Sequence, residues 1–198
     1  MYTLLKPIQI REELLKRNLR VFTGQEFTRI FQISPYKAKY FLETQVKEGF
    51  LLRLKRGIYT LKTDLPSEEE IANAIYKPSY ISFEYALAYY NLIPEMVYTI
   101  TSATTKPTRL FDVSGKVFSY QTIKKEAFTG YSLNKIGDKI FLIAEKEKAL
   151  VDYLYFVSIK KSSKNERLQT KGLNKEKIIF YTSLFQNKKL LDLVHTLI

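Results

Sequence analysis

The chain is expected to be an α+β protein: an N-terminal winged helix-turn-helix, then a mixed α/β domain with a small, mainly antiparallel sheet, then a C-terminal helical tail. Three observations lead there. Thr23 to Leu61 holds two capped helical segments followed by a glycine-turned apolar hairpin. From Met96 to Ala144 the texture changes to short alternating β-branched and aromatic runs. Beyond Phe156 a Lys/Ser-rich stretch gives way again to helical periodicity.

The first segment carries the clearest local signals. Thr23-Gly24-Gln25-Glu26 has the form of a capping box, in which the Thr hydroxyl and the Glu carboxylate each satisfy a backbone amide of the other. Phe22 and Phe27 flank it at the staple spacing, so a helix starts here and runs to about Gln32. Ser34-Pro35 starts a second helix, with Ser34 as N-cap and Pro35 where a missing N–H costs nothing. In this helix Ala38, Phe41, Leu42 and Val46 form the apolar stripe, and Tyr36, Lys37, Tyr40, Glu43, Thr44 and Lys47 lie opposite. Gly49 closes it. Leu51 to Leu54 and Ile58 to Leu61 then read as two strands around Lys55-Arg56-Gly57. Ahead of the box, Ile8, Ile10, Leu14, Leu15 and Leu19 are placed to line one side of a further helix. Two helices joined by a short turn and followed by a basic-tipped hairpin match the order of a winged helix-turn-helix. That fold reads DNA with its second helix. The candidate DNA contacts are Thr23; Ser34, Tyr36, Lys37, Lys39 and Tyr40 on the second helix; and Arg53, Lys55 and Arg56 on the hairpin.

The expected boundaries are 1–62 for this domain, 66–156 for the α/β domain and 157–198 for a basic linker with C-terminal helices. Pro66 marks the first break, and Ser67-Glu68-Glu69-Glu70 a strong helix start rather than an acidic catalytic cluster. A helix follows from Phe83 to Asn91. Strands are expected near 96–103, 108–113, 116–123 and 139–144, with a strand or turn near 127–135. Glu145 to Phe156 is helical, 160–172 a flexible connector, and 174–185 with 188–198 a last helical pair.

The formal charge of +12 is unevenly spread. Residues 1–62 carry 13 Lys/Arg against 5 Asp/Glu, residues 63–156 carry 10 against 12, and residues 157–198 carry 9 against 3. Phosphate neutralisation dominates non-specific DNA affinity, so this is the footprint expected of a DNA binder. No run approaches the roughly 20 apolar residues of a membrane span, and the N-terminus lacks a signal-peptide core. The absence of cysteine removes disulfides and thiolate chemistry and points to the cytoplasm. The single histidine, His195, sits on an apolar helix without a catalytic motif around it. Asp112, Glu126, Asp138 and Asp152 lack metal-site spacing. No enzyme activity, cofactor or metal is expected.

Three segments carry a resemblance: Lys47 to Tyr59 (KEGFLLRLKRGIY), Tyr80 to Pro94 (YISFEYALAYYNLIP) and Ile143 to Asp152 (IAEKEKALVD). Together, over about residues 10–156, the chain resembles the AbiEi antitoxin family. The resemblance implies a winged helix that autoregulates a type IV toxin–antitoxin operon by binding inverted repeats, as a homodimer or as paired monomers. It also implies a following domain that counters a nucleotidyltransferase-like toxin without requiring a stable complex. Two alternatives stay open on the residues alone: a ligand-sensing transcription factor without antitoxin activity, and a nucleic-acid-directed enzyme with a catalytic middle domain.

Overall fold

The computed structural model describes residues 6–197. The N-terminal stretch read for a signal peptide falls mostly on residues 1–5, and the expected end of the last helix on Ile198; both lie outside the described residues. The protein is α+β and divides into two compact units, one ending at Ile75 and one beginning at Tyr76.

The first unit runs α1 (Pro7–Lys16), β1 (Val21–Thr23), α2 (Gly24–Phe31), α3 (Pro35–Lys47), β2 (Leu51–Lys55), β3 (Ile58–Leu61) and α4 (Glu68–Ile75). Its sheet is antiparallel in the order β1-β3-β2. The strand β1 is not foreseen, since three residues are too few to display alternation; Val21, Phe22 and Thr23 pair with Thr60, Tyr59 and Ile58. Phe27 is fully buried, with its ring 5.8 Å from Phe22, 4.6 Å from Phe31 and 5.6 Å from Phe41. Phe22 in turn lies 6.1 Å from Tyr59, so one aromatic cluster joins both helices to the sheet.

In α1 only Ile10 and Leu14 are buried; Ile8 and Leu15 face outward, contrary to the expected stripe. The helix stops earlier than that stripe assumes because Asn18 takes a left-handed conformation and Leu19 N–H returns to the Leu14 carbonyl. By sequence, α4 opens the second domain at Pro66. It packs instead on β1 and β2, and Arg20 draws it in through Asp64 (3.5 Å) and Glu70 (3.7 Å). The boundary therefore falls at 75/76 rather than at Pro66: local capping announces where a helix begins, not which core its apolar face joins.

The second unit contains β4 (Ser79–Ile81), α5 (Phe83–Tyr89), β5 (Ile100–Thr104), β6 (Arg109–Val113), β7 (Lys116–Thr122), a 3-10 turn at Lys125–Ala127, β8 (Tyr131–Ile136), β9 (Lys139–Ala144), α6 (Lys146–Ser158), α7 (Lys175–Leu184) and α8 (Lys188–His195). Its six strands form one sheet, β6-β7-β5-β4-β9-β8. The β5–β7 and β4–β9 pairs are parallel and the others antiparallel, so the sheet is mixed and larger than the sequence suggests. The parallel pairs arise because the β6–β7 hairpin folds back with β7 innermost, and because short β4 inserts between β5 and β9.

The tail is part of this unit. Both α7 and α8 pack on α6. The expected flexible connector is tied down: Gln169 N–H donates to the Leu92 carbonyl at 2.8 Å, and Tyr153 OH to the Ser163 carbonyl at 2.7 Å. Asn165 and Arg167 both donate to Glu95. Lys/Ser composition signals solvation but says nothing of such anchors.

Gly130 shows how closely α7 sits. A Cβ there would lie 2.5 Å from the Tyr181 ring, and the residue has φ +72°. Gly137 has a similar φ of +58° with nothing within 4 Å of a Cβ. Gly137→Ala should therefore cost only backbone strain, and Gly130→Ala an additional overpacking loss of about 1–3 kcal/mol. Urea unfolding of the two variants checks this; equal losses would mean that Tyr181 moves aside freely.

Candidate nucleic-acid interface

The candidate surface is assembled from two helix starts and one strand turn. At the first, Thr23 Oγ1 accepts from Glu26 N–H at 3.1 Å, while the Thr23 amide donates to the Glu26 carboxylate at 2.7 Å. The Thr23 hydroxyl also donates to that carboxylate at 2.8 Å. Thr23 is thus committed to capping α2. After α2, Gln32 adopts a left-handed conformation and Ile33 leads to Ser34, whose Oγ accepts from Lys37 N–H at 3.4 Å. A three-residue turn therefore separates α2 from α3.

The helix α3 buries Ala38, Leu42 and Gln45, with Phe41 and Val46 packed part-buried beside them. The apolar stripe is as expected, and Gln45 extends it because its amide reaches Glu48 at 2.5 Å. The opposite face is open: Tyr36 is 81% and Tyr40 69% exposed, and Ser34, Lys37 and Lys39 are exposed with them. The helix ends in a Schellman arrangement, with Phe50 N–H on the Gln45 carbonyl, Gly49 N–H on that of Val46, and Gly49 at φ +78°. That sharp exit sends the chain directly into β2.

The three hairpin cations go to three places. Arg56 is exposed at the β2–β3 tip, beside Gly57 at φ +80°. It lines an open hollow of about 790 Å³ together with Thr23, Gln25, Arg29 and Pro35. The hydrogen bond from Gly24 N–H to the Gly57 carbonyl, 3.2 Å, fixes the tip against the start of α2. Arg53 is exposed in a separate hollow of about 270 Å³ with Glu43, Lys47 and Tyr59, towards the C-terminal half of α3. Lys55 is half-buried, and its ammonium donates to the Ile75 carbonyl at the end of α4, 3.2 Å away. The tip thus presents Arg56 beside the first turns of α2 and α3, while Lys55 serves the fold.

Gln25 and Arg29 were not singled out from the sequence. They are exposed one turn apart on α2, and the structure places them in the same hollow as Arg56. The i, i+4 spacing of two long polar residues beyond a capping box is the signal that could have found them. The arrangement offers two guanidinium groups around a concavity next to the aromatic face of α3. Guanidinium groups match phosphate geometry bidentately, and tyrosine presents both a ring face and a hydroxyl.

A second cluster, in the other unit, gathers a lysine, an aspartate, a serine and a tyrosine in the interior. Lys148 and Asp152 on α6 are both fully buried and in direct contact. The Asp152 carboxylate also accepts from Ser82 Oγ at 2.7 Å and from Tyr80 OH at 2.9 Å. The Lys148 ammonium lies 5.0 Å from the Phe185 ring centre and 5.7 Å from that of Tyr80. Burial pushes the Asp152 carboxyl up and the Lys148 ammonium down, and their mutual contact opposes both. Burial, with Asp152 alongside, also holds the Tyr80 hydroxyl well above its ordinary value. With both charges fully buried, the cluster joins β4, α6 and the end of α7. Among the described residues no group of three or more His, Asp or Glu is arranged to hold a metal ion, and no helix is long and apolar enough to cross a membrane.

No protein-family model matches the chain, and no curated protein is significantly similar to it.

The joint can be tested directly. Asp152→Asn retains an oxygen acceptor for Tyr80 and Ser82 but strands the Lys148 ammonium. It should cost about 3–5 kcal/mol in denaturant unfolding, and Lys148→Met added to the same chain should recover most of that loss. Failure of the second substitution to recover stability would show that the hydroxyl contacts, not the charge pairing, hold the joint.

Proposed function

We propose that the first unit is a winged helix-turn-helix that binds double-stranded operator DNA, and that the whole protein is a transcriptional autoregulator. One observation carries the reading: the exposed tyrosine–lysine face of α3 begins beside a hollow where Arg56 from the hairpin tip meets the start of α2. In this geometry α3 enters the major groove with Tyr36, Lys37 and Tyr40 towards base edges. Ser34 and Lys39 lie nearer the strand backbone, and the hairpin is the wing. Arg56 and Arg29 meet phosphates flanking the groove, which adds Arg29 to the contacts expected from sequence. Thr23 contributes by fixing the α2 start. Arg53 reaches the backbone from the far end of α3, and Lys55 supports the wing from behind.

The antitoxin role is proposed on the three resembling segments. Two of them, Tyr80 to Pro94 and Ile143 to Asp152, meet in the Tyr80–Ser82–Asp152 joint, so they supply one structural core. On this reading the second unit counters a nucleotidyltransferase-like toxin, DNA binding occurs on inverted repeats through paired monomers or a homodimer, and the protein acts in the cytoplasm without cofactor or catalysis of its own. One observation favours the ligand-sensing alternative: an open hollow of about 640 Å³ in the second unit, lined by Tyr85, Tyr89, Asn91, Glu95 and Met96.

Gel-shift titrations on the promoter of the protein's own operon test the DNA reading. Lys37→Ala should lose about 1–3 kcal/mol on the operator and much less on a scrambled duplex. Arg56→Ala should weaken both and lower the salt slope by about one unit. Equal loss on both duplexes for Lys37→Ala would remove it from base reading, and an unchanged slope for Arg56→Ala would remove the wing.

Co-expression tests the antitoxin reading. A fragment of residues 76–198 should fold, leave operator DNA unshifted and still rescue cells expressing the toxin encoded beside it. A folded fragment that gives no rescue, where full-length Lys37→Ala/Arg56→Ala protein does, would make the two units act as one. Absence of rescue by either would withdraw the antitoxin role and leave the regulator.

A further inference from the structure

The second unit holds cations that the operator-binding surface does not use. Among the nine Lys/Arg of residues 157–198, Arg167 pairs with Glu95 and Lys177 with Glu145. Lys160, Lys188 and Lys189 have no ion pair or side-chain hydrogen bond among the described residues. These three line one hollow of about 460 Å³ where α6 ends and α8 begins. Ile159 apart, the rest of its lining is polar: Ser158, Gln186 and Asn187. Lys124 is not part of this lining; its ammonium donates to the Phe185 carbonyl at 2.6 Å.

The placement is electrostatically unfavourable for the chain by itself. Lys188 and Lys189 occupy the first turn of α8, which has no acidic residue, so they face the positive end of the helix dipole. An external anion offsets that repulsion. The Ser158 hydroxyl already donates to the Tyr155 carbonyl and the Asn187 side-chain oxygen caps α8 at the Leu190 N–H, so the three ammonium groups are what the hollow offers a phosphate. A membrane-surface helix needs large apolar side chains set among its cations, and this hollow presents none beyond Ile159.

We propose that this hollow binds the phosphate backbone of nucleic acid without reading its sequence, as a contact separate from the one assigned to the first unit. It adds affinity and salt dependence to any duplex the protein meets, and it discriminates none.

The test uses the full chain and a duplex of arbitrary sequence, with affinity followed against salt concentration. Lys160→Glu/Lys188→Glu/Lys189→Glu should lower the salt slope by about 2–3 units, with circular dichroism unchanged and melting unchanged or raised, since carboxylates suit the start of α8. The corresponding triple Gln variant should lower it nearly as far, and it replaces the Glu variant if charge reversal perturbs folding. Reversing Lys116, Lys135 and Lys139 instead should change the slope by less than about one unit. Equal effects of the two Glu triples would mean net charge alone and overturn the site, as would an unchanged slope. Loss of binding to vesicles containing phosphatidylglycerol, with duplex binding intact, would assign the surface to membranes and also overturn it. If Arg56→Ala leaves duplex binding intact while the three lysines abolish it, the wing contact proposed for the first unit fails and this contact stands.

Discussion

Everything on the exposed face of α3 depends on how Phe27 is packed. Its ring is fully buried between Phe31 of its own helix, Phe22 of β1 and Phe41 of α3. Contacts of this kind add about 0.5–1.5 kcal/mol each beyond the area they bury, but their geometric effect matters more. Phe41 fixes the rotation of α3 about its axis, and that rotation turns Tyr36 and Tyr40 outward. Phe22 continues the cluster to Tyr59 on β3, the strand that follows the Arg56-Gly57 tip. Helix face and hairpin tip are held by one core, so their spacing is set before any ligand arrives. Preorganisation of that sort lowers the ordering cost of binding.

The second unit has a different organising constraint. Its joint is a charge pair rather than an aromatic stack, and a buried pair contributes little net stability against an apolar replacement. What it does supply is exclusiveness of arrangement. Asp152 needs the hydroxyls of Tyr80 and Ser82 as well as Lys148 to be satisfied, and Lys148 needs the Phe185 and Tyr80 rings around it. A shift of α6 along the sheet would leave one of these groups buried without a partner, which costs more than loosening an apolar contact. Because Phe185 ends α7, the same requirement draws in the C-terminal helices.

The parts legible in the sequence are those whose determinants are local. Thr23 with Glu26, Ser34 with Pro35, and Gly49 and Gly57 at left-handed positions each specify a boundary within a few residues, and the structure has them where expected. What escaped is set by distant partners. The strand β1 exists because β3 offers it an edge. The helix α4 joins the first unit because Arg20 and the β1–β2 face accept it, and no feature of Ser67 to Ile75 tells which neighbour that will be. The surface residues divide in the same way. Exposure of Tyr36 and Tyr40 follows from helical periodicity, whereas the diversion of Lys55 to Ile75 and the meeting of Arg29 with Arg56 need the tertiary structure. By sequence Asp152 is one acid among four that lack metal-site spacing. Its burial beside Lys148 is hinted at by the i, i+4 spacing alone, which surface ion pairs share.

Charge by itself treats the two ends of the chain alike, since residues 1–62 and 157–198 both carry a large excess of cations. Geometry separates them. Sequence discrimination requires groups that match the edge pattern of a base pair, and contact with phosphate requires only a cation within reach. In the first unit, cations stand beside two exposed tyrosine rings on a helix whose orientation is fixed by its core. Around Lys160, Lys188 and Lys189 there is a polar hollow with no aromatic ring. On the functional reading proposed here, the first surface can choose among sequences and the second can only hold what has been chosen. On that reading, α3 needs to contribute relatively little of the total affinity. That leaves α3 free to carry hydroxyls and rings in place of a dense row of lysines.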